Sequence, residues 1–419
     1  MFNFPFKNSL RPLYNGLRYS WFEYLHQRFA SKLKNRAKIN VVFFASNLSM
    51  WHYQHLVEEM KRYPKFNVYV VISPFTQYTN DTQKQNSEDL RSFFSRHNTT
   101  FMDSCDKKYL KIKEIINPEI VFYTQFYWGG LIPEHNPPNF KTKLLCAYPY
   151  GFNNIYADWA YNNQFQNMAW KLFYPNKSCF RDAQELAWNK GRNVVITGYP
   201  TADDFLSPEI NNVWKKQNTK KKRIIYAPHF TIERGCSSLF FSNFLKFHKL
   251  MQDIAVKYSD KIQFAFKPHP RLLTELYKHK DWGKEKADEY YKWWQTQENT
   301  QLEIGGFIDL FKTSDAMIHD CGSFSIEYFY TKNPVMFISR DMNEIKKQKN
   351  EVGIAALDSH YIGKNQEDII NFIENVVLNN NDTMKQQREA FFEKYLLPPN
   401  GKNVAHNTMD DILKSLNIQ

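Results

Sequence analysis

Apolar and polar positions follow two different periods along this chain. Largely apolar runs occur at Ile39–Ser46 and Phe66–Ser73, whereas Met50–Tyr63 between them spaces its apolar side chains three or four residues apart. Such runs are typical of strands buried on both faces of a parallel sheet, and the wider spacing is typical of an amphipathic helix. A strand, a helix and a strand in this order form a βαβ unit, so the pattern predicts the α/β class.

The same alternation restarts after a polar and basic stretch near the middle of the chain. Trp214–Arg223 carries six Lys or Arg and no apolar period, which marks a bridge between two α/β halves. Two open parallel sheets that face each other form a central cleft at the carboxyl ends of their strands. We therefore expect a basic amphipathic extension at 1–38, a Rossmann-like domain at 39–207, a linker at 208–223, a second Rossmann-like domain at 224–380, and C-terminal helices at 381–419 packing back across the domains.

The positive charge is concentrated at the N-terminus. The formal net charge is +12, and residues 1–38 carry eight Lys or Arg against one Glu. Nucleic-acid binding needs basic groups spread along a groove among base-reading side chains, and no such module is present, so this class is excluded. Within 1–38, apolar residues recur at helical spacing, which predicts a helix that lies either on an anionic membrane or on the body of the protein. The recurring residues are Leu17, Trp21, Leu25 and Phe29.

Cysteine usage and hydropathy indicate the compartment. The five cysteines are widely separated and form no Cys-x-x-Cys pair, which favours a reducing compartment and argues against structural zinc. No apolar run approaches the roughly 20 residues of a membrane span, and no signal-peptide core is recognisable. We expect a cytoplasmic protein without a metal or cofactor, which contacts the inner face of the cell membrane peripherally if the N-terminal helix lies on the membrane and not on the body of the protein.

Polar residues follow an apolar strand at Asp320–Ser323, just before a helix. Backbone N–H groups at a helix start favour anions, and Gly322 allows a phosphate to approach the backbone closely. One turn further on, Glu327 could accept hydrogen bonds from a ribose diol. The alternative is an ordinary helix cap, because Ser and Asp begin many helices. The candidate nucleotide-binding residues here are Asp320, Gly322, Ser323, Phe324 and Glu327.

Cationic side chains follow two further strands. Lys267, His269 and Arg271 lie together in the segment KPHPR, and His229 follows Pro228 in YAPHF. Arg pairs with phosphate oxygens in a bidentate manner, and His donates hydrogen bonds or protons. These groups are therefore candidate ligands of a diphosphate, with His229 and His269 as candidate catalytic residues.

Several motifs together resemble those of the CDP-glycerol glycerophosphotransferase family, the GT-B-type enzymes of teichoic acid and capsule polymers. They are Tyr226–Pro228, Lys267–Arg271, Asp320–Ile338 and Val194–Phe205. The Asp320 run is also similar to the nucleotide-binding turn of UDP-N-acetylglucosamine 2-epimerase, another GT-B fold. The resemblance implies a GT-B-like α/β fold in which the second domain binds the donor. It further implies that His269, Arg271 and Ser323 hold the diphosphate of a CDP-linked donor, that Glu327 holds the ribose, and that His229 lies near the leaving phosphate.

The N-terminal half departs from this family at one motif. The teichoic acid polymerases carry a Trp-His-Gly-Thr-Pro segment whose His is implicated in catalysis, whereas the comparable segment Leu144–Asn154 has no His. Neutral tyrosine is a poor base at neutral pH. His52 is a candidate base for the acceptor hydroxyl, the alternative being a packed histidine. The residues expected on the acceptor side of the cleft are Ser46, Asn47, Tyr148, Tyr150 and Asn153.

These features predict a transferase that moves glycerol phosphate, or a related polyol phosphate, from a CDP-linked donor to a hydroxyl of a cell-surface glycan or lipid-linked acceptor. CMP would leave, and cationic side chains would neutralise the phosphates. Two alternatives remain open. One is a GT-B glycosyltransferase that uses a nucleotide sugar in surface polysaccharide synthesis, and the other is a non-catalytic subunit of polymer assembly.

Overall fold

The computed structural model describes residues 7–105, 109–126, 129–233 and 241–418. Its strands are β1 (Ile39–Ala45), β2 (Phe66–Ile72), β3 (Phe101–Asp103), β4 (Ile120–Tyr123), β5 (Leu144–Ala147), β6 (Lys171–Tyr174), β7 (Val194–Ile196), β8 (Lys222–Ala227), β9 (Ile262–Phe266), β10 (Thr300–Leu302), β11 (Ala316–His319), β12 (Val335–Ile338) and β13 (Tyr361–Gly363).

Its helices are α1 (Lys7–Leu33), α2 (Gln54–Lys61), α3 (Asn80–Arg96), α4 (Ile112–Ile115), α5 (Asp158–Tyr161), α6 (Gln164–Met168), α7 (Lys177–Leu186), α8 (Ala202–Leu206), α9 (Phe244–Lys257), α10 (Leu272–Lys278), α11 (Gly283–Thr296), α12 (Ile308–Lys312), α13 (Phe324–Glu327), α14 (Met342–Lys346), α15 (Glu351–Asp358), α16 (Gln366–Asn371), α17 (Lys385–Tyr395) and α18 (Val404–Leu416). A π-helical segment, Phe372–Leu378, continues α16. Among the described helices, none is both long enough and apolar enough to cross a bilayer.

The chain forms two compact units, and each contains one parallel sheet. The first unit is Met1–Asp203 with Leu397–Gln419, and its seven strands run in the order β3-β2-β1-β4-β5-β6-β7. The second is Asp204–Leu396, and its six strands run in the order β10-β9-β8-β11-β12-β13. Every pair of neighbouring strands is parallel. Parallel strands require crossover connections that carry the chain back to the end of the sheet at which the previous strand began. This confirms the predicted α/β class with two parallel-sheet domains.

Aromatic side chains fill both cores. In the first unit Phe43 of β1 stacks on Phe122 of β4 with ring centres 4.4 Å apart. In the second unit Phe266 of β9 stacks on the fully buried Trp294 of α11 at 5.2 Å. Aromatic residues make up 17% of the chain, and these contacts show that many of them pack the cores that support the strands of the candidate site.

The basic stretch between the halves is part of the second unit. Trp214 is buried, and its indole N–H donates to the Thr313 hydroxyl at 3.0 Å. The Asn211 amide likewise donates to Asp309 at 3.1 Å. The stretch 208–223 is thereby held along its length by side-chain contacts within the second unit.

The C-terminal helices are divided between the units. Helix α17 belongs to the second unit, whereas α18 belongs to the first. The carboxylate of Asp203 accepts the backbone N–H groups of Val404 and Ala405 at 2.7 and 2.9 Å, which caps the start of α18.

The helix predicted after Ser323 is shorter than its pattern suggests. Helix α13 ends at Glu327 and continues only as a 3₁₀ turn, Tyr328–Thr331. Lys332 then adopts a left-handed conformation with φ of 60°, and Pro334 prevents further helix.

Candidate active site

Three loops of the second unit meet at one edge of its sheet. Strand β8 lies between β9 and β11, and all three are parallel. Their carboxyl ends therefore lie side by side, which brings together the loops that begin at Pro228, Lys267 and Asp320. These are the three loops whose side chains the sequence singles out.

His229, His269 and Arg271 lie around the ring of Phe230. The two imidazoles are 4.9 Å apart between ring centres, and each is 4.5 Å from the Phe230 ring. The Arg271 guanidinium lies 4.1 Å from the centre of the same ring and also pairs with Glu275 at 3.3 Å. Phe230 thus serves as an apolar platform that holds three nitrogen-bearing groups together.

Both histidines present an N–H group. The Nδ1 atom of His269 accepts the backbone N–H of Arg271 at 3.1 Å, so the ring proton of neutral His269 is on Nε2. Nδ1 of His229 accepts the Thr231 backbone N–H at 3.4 Å and lies 2.9 Å from the Thr231 hydroxyl, which can also donate to it, so the ring proton of neutral His229 is on Nε2 as well. Two Nε2–H donors beside a guanidinium are suited to phosphate oxygens.

Burial holds both histidines neutral. Burial, together with the neighbouring His269, Lys349 and Arg271, lowers the pKa of His229 to about 3. Burial, with Arg271 and Lys267, lowers the pKa of His269 to about 4. An anion placed beside them would favour the protonated forms, so the same pair can donate hydrogen bonds first and accept a proton later.

Lys267 is placed differently from its neighbours. The residue is 6% exposed, its ammonium donates to the carbonyl oxygen of Gly305 at 2.7 Å, and burial lowers its pKa to about 8. This hydrogen bond reaches the loop after β10, where the carbonyl oxygen of Glu303 lies 3.5 Å from the same ammonium. Lys267 therefore orients that loop, in addition to supplying positive charge at the strand ends.

Asp320 positions the backbone of two other segments. One carboxylate oxygen accepts the N–H of His229 at 2.6 Å, and the other accepts the N–H of Asn243 at 2.5 Å. Burial raises the pKa of Asp320 to about 7, against the opposing effect of these hydrogen bonds. The structure thus gives Asp320 a positioning role for the loop that carries His229.

The rest of the turn is half-buried and lies next to apolar side chains. Gly322, Ser323 and Phe324 are each partly exposed, and a methyl group at Gly322 would meet only the Phe241 ring, at 3.8 Å. The Ser323 side chain does not cap α13. Glu327 is only 4% exposed. Of the predicted set, Gly322, Ser323 and Phe324 thus reach the surface, whereas Glu327 lies beneath it.

A buried histidine pair supports the turn from below. His319 Nδ1 accepts the N–H of Cys321 at 3.1 Å, which leaves its proton on Nε2, and that proton is directed at Nε2 of His360 at 3.1 Å. His360 in turn donates from Nδ1 to the carbonyl oxygen of Ala356 at 2.7 Å. Both tautomers are determined by the backbone groups at the two ends, so the chain of hydrogen bonds is complete only when both rings are neutral.

Sequence reasoning missed Lys349. This residue is 6% exposed, its ammonium lies 5.2 Å from the centre of the Phe241 ring, and burial lowers its pKa to about 8. Its charge also lowers the pKa of His229. Lys346 and Lys347 in the same run form exposed ion pairs, with Asp358 and Glu344. No feature of the sequence separates the buried lysine from its exposed neighbours.

Arg340 is a second missed residue. Its guanidinium donates to the Asn243 side chain and to the Ser242 carbonyl, each at 3.1 Å. It thereby secures the segment whose backbone Asp320 also holds. Across the described residues, no group of three or more His, Cys, Asp or Glu could hold a metal ion.

The acceptor-side residues predicted in the first unit are brought together only in part. The Nε2 atom of His52 lies 3.1 Å from the Tyr150 carbonyl oxygen, so His52 donates there and carries its lone pair on Nδ1. Tyr150 is 52% exposed, whereas Tyr148 is buried and its hydroxyl is 2.6 Å from that of Thr408. Burial raises the pKa of Tyr148 well above 10, so it cannot act as a base.

The remaining acceptor-side candidates are largely structural. Asn47 caps a 3₁₀ turn by accepting the Ser49 N–H at 2.7 Å and donates to the Asn86 side chain at 3.1 Å. Ser46 is buried, and Asn153 offers its carbonyl oxygen to the Cys179 thiol at 3.3 Å. His52 and Tyr150 are therefore the predicted residues of this unit that are best placed to meet a ligand.

Comparison with solved structures defines the class of protein. The wall teichoic acid polymerase TagF has a TM-score of 0.57 and 14% identity over 98% of both chains. The S. aureus protein MnaA with UDP has a TM-score of 0.58 and 14% identity over 92% of this chain and 98% of its own. The UDP-GlcNAc 2-epimerase of Neisseria meningitidis has a TM-score of 0.53 and 13% identity over 90% and 100%. These likenesses establish a GT-B-like fold.

The family follows from the sequence itself. Residues 155–414 match the model of the CDP-glycerol:poly(glycerophosphate) glycerophosphotransferase family, and this is more than half of the chain. The chain belongs to that family and is an enzyme of the glycerophosphotransferase type, which confirms the resemblance found in its motifs. None of the curated proteins compared with it matches significantly. The matched region includes the whole second unit, with the histidine pair, but leaves out His52 and Tyr150.

Proposed function

We propose that this enzyme transfers glycerol phosphate from CDP-glycerol to a hydroxyl of a glycan or lipid-linked acceptor and releases CMP. The acceptor oxygen attacks the β-phosphorus, the bond from that phosphorus to the oxygen bridging the α-phosphate breaks, and the acceptor proton passes to a base. The observation that carries the proposal is the pair of Nε2–H histidines 4.9 Å apart beside Arg271. Such preorganised donors stabilise the charge on a transferring phosphoryl group.

The roles follow from the geometry of the strand-end loops. Arg271 and His269 bind the diphosphate, and His229 donates to the leaving phosphate. Lys267 and Lys349 supply buried positive charge, while Asp320 keeps the His229 loop in place. In the first unit, His52 is the candidate base. These assignments need no divalent ion, and adding a chelator to the assay tests that directly.

Nucleotide release is the decisive assay. The enzyme is incubated with CDP-glycerol, or with UDP-N-acetylglucosamine, and a soluble polyol-phosphate acceptor, and the released nucleotide is identified. CMP from CDP-glycerol supports the proposal. UDP from the sugar nucleotide would instead indicate a glycosyltransferase, and absence of CDP binding with no release would indicate a non-catalytic subunit.

A matched pair of variants links the assay to the site. Arg271→Ala removes charge-assisted hydrogen bonds to phosphate, so CDP binding should weaken about ten- to a hundredfold. Lys278→Ala is the control, because Lys278 pairs with the same Glu275 carboxylate, at 3.4 Å, but lies on α10 away from the Phe230 platform. Equal losses in both variants would contradict the assignment of Arg271.

We further propose a peripheral contact of α1 with anionic membranes. Tyr19, Ala30 and Leu33 on one face of the helix are buried, whereas Leu17 and Trp21 on the other face are 67% and 59% exposed. Exposed Tyr24 and Leu25 and the cations Arg18, Arg28 and Lys32 accompany them. An apolar stripe flanked by basic residues is typical of helices at a membrane surface.

Vesicle sedimentation tests this contact. The double substitution Trp21→Gln and Leu25→Gln should release the enzyme from phosphatidylglycerol vesicles and should leave CMP release with a soluble acceptor unchanged. Phosphatidylcholine vesicles provide the charge control. Undiminished sedimentation of the double variant would refute a role for the exposed face.

A further inference from the structure

A cavity lies beneath α1 in the first unit, outside the site described above. It has a volume of about 400 Å³ and separates the inner face of α1 from the β6–β7 edge of the sheet. A water molecule occupies about 30 Å³ of liquid, so the cavity is large enough for an organic ligand. Its walls include Tyr19, Phe22 and His26 of α1 and Met168, Trp170 and Arg192 opposite.

His26 lines this cavity and carries a buried polar atom that is unsatisfied. The residue is 6% exposed, and its Nε2 atom has no hydrogen-bond partner within the part of the chain that the structure describes. Burial lowers the pKa of His26 to about 4, so the ring is neutral at physiological pH. A buried polar atom without a partner is costly, and a ligand hydroxyl in the cavity would remove that cost.

The charged groups around the cavity are already paired. Arg192 binds Glu23 at 3.2 Å, and Lys171 binds Asp411 at 2.7 Å. Because these charges are neutralised within the protein, the lining attracts a phosphate or carboxylate only weakly. A neutral ligand therefore suits this lining better than a charged one.

The amide side chains at the back of the cavity form a rigid wall. The amide of Asn193 donates to the carbonyl oxygens of Gln166 and Ala169, both at 2.8 Å. Asn167 donates to the Asn163 carbonyl oxygen at 2.9 Å. Because these groups are bound to the backbone, the shape of the cavity is preformed.

We propose that this cavity binds one neutral sugar unit of the acceptor. The aromatic rings of Tyr19, Phe22 and Trp170 offer apolar surface to the C–H face of a sugar ring, and His26 offers one hydrogen bond to a ring hydroxyl. The assignment of the sugar to the acceptor rests on the proposed function, whereas the binding itself does not.

Saturation-transfer NMR on the full chain with N-acetylglucosamine as the probe tests the site. The wild type should transfer saturation to the sugar, and His26→Phe should weaken binding about tenfold, as loss of one buried hydrogen bond does. His97→Phe, the same change at an exposed histidine, should bind as the wild type does. A thermal unfolding midpoint of His26→Phe at or above that of the wild type shows that the variant folds.

A second variant and a parallel measurement make the outcome unambiguous. Trp170→Leu should also weaken binding, because it removes an aromatic wall. Absence of saturation transfer in the wild type, or equal transfer in all variants, overturns the proposal. Binding of CDP is measured in the same samples. If CDP binds and the sugar does not, only the cavity assignment fails; if the sugar binds but CDP-glycerol releases no CMP, only the proposed function fails.

Discussion

Replacing His360 by Gln should make the stability of the protein less sensitive to acid. In the folded protein, burial lowers the pKa of His360 from 6.5 to about 3, and His319 beside it is lowered in the same direction. Protonation of either ring would break the chain of hydrogen bonds from Cys321 to Ala356. The folded state therefore takes up a proton at His360 much less readily than the unfolded state does.

The expected loss of stability follows from the lowered pKa of His360. A histidine with a lowered folded pKa contributes stability that is complete above pH 6.5 and is lost as the pH falls towards the folded pKa. A pH of 5 is 1.5 pH units below the pKa of 6.5 that His360 has in the unfolded chain, so His360 is protonated there. In the folded protein His360 is still neutral at this pH. Each pH unit of this difference corresponds to about 1.4 kcal/mol, so His360 should account for about 2 kcal/mol of the unfolding free energy lost between pH 7.5 and pH 5.

Urea unfolding followed by tryptophan fluorescence at pH 7.5, 6 and 5 measures this directly. The fall in the free energy of unfolding should be about 2 kcal/mol smaller in His360→Gln than in the wild type. Asn375→Gln, at an exposed position of the same unit, changes no titratable group and should follow the wild type. If His360→Gln and the wild type lose the same free energy, His360 is already protonated in the folded protein and the deduced tautomers are wrong.

Three further predictions concern single contacts. Asp320→Asn should lower the free energy of unfolding by about 1–3 kcal/mol, because one of the two bound backbone N–H groups would then face an amide NH₂. Because the folded pKa of Asp320 is raised to about 7, the wild type loses stability as pH rises to 7, so urea unfolding should show a larger gap between the two proteins at pH 5 than at pH 8. Tyr148→Phe removes the 2.6 Å hydrogen bond to Thr408 and should cost about 1 kcal/mol in urea unfolding; an unchanged midpoint would show that this contact is not formed. Gly198→Ala should lower the thermal midpoint, because Gly198 has a φ of 100° and an added methyl group would approach Val404 Cγ2 to 2.9 Å, and a midpoint equal to that of wild type would exclude this strain.

The periodicity of the sequence accounts for the sheets and for the edge that carries the candidate site. Largely apolar runs separated by helical segments require parallel strands, and parallel neighbours place the loops after them at a common edge. For this reason the sequence predicts that His229, His269 and Arg271 lie close together. The structure brings them together around Phe230. Chain order alone did not reveal that the stretch 208–223 belongs to the second unit, because its contacts through Trp214 are made with a residue 99 positions away.

The chemical groups that follow the strands can be read from the amino-acid sequence, because a parallel sheet places every loop after a strand at the same edge. The direction of each side chain, in contrast, depends on the folded protein. Lys267 donates to the carbonyl oxygen of Gly305, Asp320 accepts two backbone N–H groups, and Lys349 is buried beside Phe241 although Lys347 in the same run is exposed. Side-chain direction and desolvation depend on contacts with segments that are distant in the chain. The local sequence does not indicate which distant segment will pack against a given residue.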